Sequence, residues 1–318
     1  MLGLVKRLLA MAIFVPAGAC ATLGQPAEDE PTLAFVAMVD LGRRDLLGGV
    51  SGLEVDADGI TATAVRDDGL ALQFPLAFDA DGKLVDVGAV RAAPLGGVDL
   101  EASKGTRDAE ALRRLPDGSW LVAYEGDHRV VRHAADWAGL LAPPTRLDLP
   151  ADVAKLPPNK GLESIAVAGD GTIAILAETS GEDGLHRTWL RRNGKWLDRS
   201  YRTDPAYQPT DALFLPNGDL LILERAFSLL LGVRCRLARV PAAEVAKAEI
   251  WEGRVLGAIR PPPPEGEDNF EGLALLPEKD GVVRLLAVSD DNFSDLQRTL
   301  LLQFSLTFPP PAGPTGGR

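Results

Sequence analysis

Acidic residues recur in pairs around glycine-containing turns. Glu110 and Glu125 lie equally far from the Asp117–Gly118 turn, and Glu163 and Glu178 equally far from Asp170–Gly171. The same holds for Asp211 and Glu224 about Asn217–Gly218, and for Glu271 and Asp290 about Asp280–Gly281. In a two-residue hairpin, equal distance makes the two members cross-strand neighbours. Like charges in that position are destabilising, so four such pairs point to a ligand. A hard cation that takes several oxygen ligands in flexible geometry, Ca²⁺ above all, fits a ring of carboxylates. A cation polarises an ester or phosphoryl oxygen while a carboxylate takes a proton from water. Glu110, Glu163, Asp211 and Glu271 are therefore the expected catalytic acids. Glu163, Asp211, Glu271 and Asp290 are the expected metal ligands, and Arg66, Lys104, Arg107 and Lys160 the expected anchors for the anionic part of a substrate. The alternative for each acid is a hydrogen bond to a connecting loop that fixes the ring.

The elements that would position these acids are hairpins. Five segments, among them "DAEALRRLPDGSWLVAYEG" and "LESIAVAGDGTIAILAET", share one form: an apolar run, an Asp-Gly or Asn-Gly turn, and a second apolar run. Their glycines are Gly59, Gly118, Gly171, Gly218 and Gly281, 47 to 63 residues apart. A period near this length, with further short strands between the hairpins, predicts an all-β fold, a single β-propeller. Five copies predict five blades; six is the other count the spacing admits, and a β-sandwich or a pair of β-domains is the competing architecture. The N-terminal "LAFVAMVDL" most simply completes the last blade and closes the ring. The first strands would line the channel, gathering the acids on the face opposite the turns. The first repeat breaks the pattern, with Ser51 and Arg66 where the others carry acids.

The net charge of −12 makes nucleic acid an unexpected partner. A small anionic ester or phosphoester, with the chain as a monomer, is the expected pairing. "MLGLVKR" followed by a 12-residue apolar run and small residues before Cys20 reads as an export leader. It predicts a periplasmic or envelope protein. Lipid modification at Cys20, ordinary cleavage nearby and retention of the leader are the three outcomes, which intact mass of protein from the native host separates. The membrane would be met only through that anchor. Residues 1–20 are then the leader, 21–32 a linker, 33–306 the propeller, and 307–318 a Pro/Gly-rich tail. Cys235, the other cysteine, alternates like a strand residue. No G-x-S-x-G elbow, H-E-x-x-H pair or phosphate-binding glycine loop occurs.

"NFEGLALLP" followed by "LLAVSDDNFSDLQRTLLLQF", and "NKGLESIAVAGDGTIAILAET", resemble the bacterial phytase-like family with esterase-like activity. The resemblance runs from about Leu33 to Phe304. It implies ester or phosphoester hydrolysis, with calcium by analogy to propeller phytases, whose six blades sit awkwardly with five motif copies. A ligand-binding propeller without catalysis and a lactonase-like metal propeller are the competing functions.

Overall fold

The computed structural model describes residues 30–42, 46–157, 160–180, 183–294 and 297–309. Cys20, with the rest of the leader, and most of the linker and tail lie outside them. The first strand, β1 (Thr32–Asp40), leaves the chain's early part and pairs far away. Blade one holds β2 (Val50–Val55), β3 (Thr61–Arg66), β4 (Leu70–Phe78) and β5 (Leu84–Val87), with β6 (Arg91–Pro94) also on β4. Blade two holds β7 (Ala109–Arg114), β8 (Trp120–Tyr124), β9 (Arg129–His133) and β10 (Thr145–Arg146). Blade three holds β11 (Leu162–Val167), β12 (Ile173–Ser180), β13 (Leu185–Arg192) and β14 (Lys195–Arg202). Blade four begins with β15 (Gln208–Phe214), β16 (Leu220–Ser228) and β17 (Gly232–Val240). The chain then lends β18 (Ile250–Glu252) to blade three, parallel to β14, before β19 (Arg254–Ala258) completes blade four. Blade five holds β20 (Asn269–Lys279), β21 (Val282–Asp290) and β22 (Leu300–Thr307), with β1 on its outer edge.

The protein is thus a five-bladed β-propeller. The N-terminal strand closes it, pairing antiparallel with β22 from Thr32↔Thr307 to Asp40↔Leu300. That pairing ties the two ends of the described chain together and covers an otherwise open edge of β22. Blade number follows from packing. A sheet with two apolar faces must be covered on both, which reads in sequence as near-continuous apolar runs; all five residues of β8 are buried. Five apolar clusters among the described residues fill the five blade-to-blade contacts. One lies between blades one and two, and one between each following pair round to five and one. At the axis the inner strands approach so closely that a Cβ on Gly52 would lie 2.6 Å from the Leu112 amide nitrogen.

The turn geometry differs from the expected two-residue hairpins in four blades. Leu115 N–H donates to Ser119 O, leaving a three-residue loop in which Gly118 takes a positive φ of 84°. Blades three and four repeat this loop, and blade one has a longer one, closed by Asp56 N–H to Thr61 O. The fifth alone has two residues, Asp280 and Gly281, both at positive φ between Lys279 and Val282. A second irregularity compensates. The inner strand of each blade slips register at its upper end, the first at Ser51, then at Glu110, Glu163, Thr210 and Glu271. A bulge adds one residue to one strand and re-aims its side chain. Equal sequence distance therefore does not make these acids direct cross-strand partners. Glu125 N–H instead donates to Asp108 O, and Glu178 N–H to Gly161 O.

Candidate functional site

The five bulges form a rim at the mouth of the channel, opposite the hairpin turns. Counted by register, the bulge position carries Ser51, Glu110, Glu163, Thr210 and Glu271. The facing position on the second strand carries Asp67, Glu125, Glu178, Arg225 and Asp290. Asp108 and Asn269 stand two residues before Glu110 and Glu271.

The acids converge as expected for Glu110, Glu163 and Glu271. Oxygens of Asp108, Glu110 and Glu125 lie within 4.8 Å of one another, and so do those of Glu125, Glu163 and Glu178. Glu125 belongs to both groups. Burial first, then the charges of Glu163 and Glu271, raises the Glu110 carboxyl well above the ordinary range. Burial and the neighbouring Glu178 and Glu125 do the same to Glu163. Asp290 is buried and is pushed up to about 8 by that burial and by Glu271. Asp108, 5% exposed, has a buried Oδ1 that accepts no hydrogen bond among the described residues.

Two cations answer this charge directly. Lys104, in the short helix α1 (Lys104–Arg107), sits 2.9 Å from Asp67 and 3.5 Å from Asp108. Burial works against its charge, but these carboxylates hold it protonated. Arg225 donates to Glu271 at 2.6 Å and to Asn269 at 2.8 Å. Lys160 acts at the edge, where its charge lowers the Glu178 carboxyl against a larger effect of burial.

Four sequence expectations fall elsewhere. Asp211 is not on the rim. Blade four has its bulge at Thr210, one residue earlier, and a one-residue shift moves a side chain to the other face of a strand. Asp211 is buried below, accepting from Arg113 Nη2 at 2.7 Å, Ala212 N–H at 2.8 Å and Leu273 N–H at 2.7 Å. Its presumed partner Glu224 accepts from Tyr201 Oη and Arg236 Nε, both at 2.5 Å, between blades three and four. Arg66 is committed to Asp68 at 2.6 Å and to Leu46 O, beneath the Phe293 ring. Arg107 donates to Leu100 O. Residues missed as ligand candidates are Asp108, Glu125 and Glu178, with Asp67 beside them. A signal for the bulge positions existed. Ser51, Glu110, Glu163 and Thr210 each precede their turn glycine by eight residues, whereas Asp211 does not. Cys235 is a buried strand residue whose thiol burial pushes up to about 12.

The raised carboxyls set a pH dependence. In the folded, metal-free protein they hold protons at pH values where the unfolded chain has released them. Their contribution to stability is therefore full below the unfolded values and is lost as pH rises through the folded ones. For Asp290 that window runs from 3.8 to about 8. Thermal melts of chelator-treated protein should show stability falling across this window, and added calcium should flatten the slope. A stability that rises steadily from pH 4 to 8 without metal contradicts the assignment.

The site is thus that of a propeller with a carboxylate-rich channel mouth. A family model for phytase-like proteins, described as esterase-like activity of phytase, matches residues 45–293. The chain belongs to the phytase-like family. Solved structures similar to it include virginiamycin B lyase from Staphylococcus aureus (12% identity, 88% of this chain and 100% of that one, TM-score 0.40). A Dyadobacter fermentans protein of unknown function matches at 12% identity over 88% and 100%, with TM-score 0.45. A putative gluconolactonase matches at 11% identity over 88% and 96%, with TM-score 0.43. No curated protein matches the sequence.

Proposed function

We propose that the protein is an exported, calcium-dependent hydrolase of a small anionic ester or phosphoester, working at the channel mouth. The observation that carries this reading is the pair of three-carboxylate groups sharing Glu125, in which the single lysine beside Asp108 leaves most of the charge unanswered. Uncompensated buried carboxylates are costly, and a cluster of carboxylate oxygens fits a hard, oxygen-seeking cation. Asp108, Glu110, Glu125, Glu163 and Glu178 would hold it. When bound, the cation would neutralise the rim and polarise the ester or phosphoryl oxygen.

The chain's own groups divide the remaining work. Lys104 and Lys160 are exposed cations at the edge of the rim and draw in the anionic substrate. Arg225 fixes Glu271 from one side and Asn269 from the other, since Asn269 Nδ2 also donates to Glu271 at 2.8 Å. Asp290, whose carboxyl burial and the charge of Glu271 push up to about 8 in the metal-free protein, is the candidate to take a proton from water.

The test is a panel of p-nitrophenyl phosphate and p-nitrophenyl acyl esters with chelator-treated protein, with and without calcium. Turnover should require the cation and fall by about 10²-fold or more in Glu163→Gln, in the range found when a positioned catalytic group is lost. Absence of turnover on every substrate, with calcium still bound, would leave a ligand-binding propeller and end the hydrolase reading.

A further inference from the structure

The β16–β17 hairpin ends in "FSLLLG". Phe227 is 67% exposed, Leu229 98%, Leu230 91% and Leu231 60%. Exposed apolar residues scattered singly are ordinary, but a contiguous group marks a contact surface. This tip is a built element. Ser228 pairs with Gly232, which takes a φ of +69°, and Leu231 N–H donates to Ser228 Oγ at 3.1 Å. The turn holds three leucines outward.

Strand direction places the tip. β16 rises from the turn face, passes the rim at Arg225 and continues to Ser228, so Leu230 stands about 15 Å beyond the rim along the strand. A second exposed aromatic, Phe293 at 56%, follows Asp290 on the same face. Two features favour a lipid surface over a protein partner. Leu229, Leu230 and Leu231 make up the turn itself and all three are exposed, so the end of the hairpin is apolar with no polar side chain between Ser228 and Gly232. A protein groove matches an element with one apolar face and one wet one, whereas an apolar phase accepts a tip with none. At its base stands Arg234, opposite Ala226, with its guanidinium 5.6 Å from the Tyr207 ring centre. Arg234 has no carboxylate partner among the described residues. An apolar tip above an arginine and a tyrosine is the arrangement that suits the boundary between acyl chains and headgroup phosphates.

We infer that the Phe227–Leu231 tip inserts into a phospholipid bilayer surface, with Arg234 at the phosphate level, and so turns the carboxylate rim toward the membrane. This interaction is separate from any anchor at Cys20.

The test is sedimentation of the full chain with phosphatidylcholine vesicles, alone and with a minority of phosphatidylglycerol, comparing wild type with Leu229→Ser/Leu230→Ser/Leu231→Ser. The triple variant alters only exposed side chains, and its unchanged melting temperature confirms folding. The expected result is a fall in partitioning of about tenfold or more in the triple variant, from the apolar surface removed. Wild-type binding should survive high salt, as apolar insertion does. Arg234→Gln should weaken binding to both kinds of vesicle, and more strongly where phosphatidylglycerol adds net negative charge. Equal sedimentation of wild type and triple variant, or binding abolished by salt, overturns the proposal. A wild-type oligomer that the triple variant dissolves, without vesicle binding, also overturns it and makes the tip an interface between proteins.

Discussion

Glu125→Gln should stabilise the calcium-free protein and remove its response to calcium. Glu125 is 8% exposed and lies within 4.8 Å of carboxylate oxygens on both sides, those of Asp108 and Glu110 and those of Glu163 and Glu178. Without a cation its charge adds repulsion of roughly 3–4 kcal/mol for each neighbour that is also ionised, at an effective dielectric near 20. The amide removes that repulsion, so the metal-free melting temperature should rise by several degrees. Calcium should stabilise the wild type by about 2.7 kcal/mol at a hundredfold excess over its dissociation constant. The variant should lose this, because neither group keeps three carboxylates. The opposite signs make the test strict. A residue serving only the fold would lower the melting temperature when changed, with or without calcium. If Glu125→Gln melts lower in chelator and still responds to calcium, the rim is a structural ring.

Arg113→Met should be the most destabilising single change outside the apolar core. Arg113 is 3% exposed, and all five of its guanidinium hydrogens have acceptors. It donates to Ala212 O through Nε and Nη2, to Leu53 O and Leu112 O through Nη1, and to Asp211 Oδ1 through Nη2. Asp211 in turn accepts from Leu273 N–H. One ion pair therefore joins blades one, two, four and five across the axis. Burial pushes the Asp211 carboxyl up to about 6 against the opposing pull of Arg113. Removing one partner of a buried pair costs about 3–5 kcal/mol, because the other is left uncompensated. A loss of that size lowers the melting temperature by roughly 10 °C in a chain of this length. Arg113→Met/Asp211→Leu should recover part of it, since no unpaired charge remains. A melting temperature within a degree or two of wild type would show that the clamp carries little of the ring's stability.

The propeller was legible because its signal is local and repeated. Each blade writes its own apolar run, turn glycine and second run, and the five glycines take the positive φ that their turns require. Closure by the N-terminal strand was legible too, since "LAFVAMVDL" is a strand pattern with no hairpin partner nearby. Three of the four inner acids, Glu110, Glu163 and Glu271, come together as their place in the repeat implies. Asp211 does not, because its blade carries the bulge at Thr210. A bulge is a one-residue event, and a one-residue error in placing it reverses which side of the strand an acid faces.

The amino-acid pattern by itself determined the class of fold, the repeat and the presence of an acid-rich set at the strand ends, because these depend on spacing within one hairpin. Only the tertiary structure decided which acids share a site. Asp108, Glu110 and Glu125 of blade two meet Glu163 and Glu178 of blade three through Glu125, and Arg113 meets Asp211 across the axis, 98 residues apart in sequence. Such contacts depend on the ring closing at five sheets and on the bulges turning side chains inward. The bulge position recurs within the hairpin, eight residues before the turn glycine in four blades, but ring closure is a consequence of blade-to-blade packing, which no single hairpin encodes.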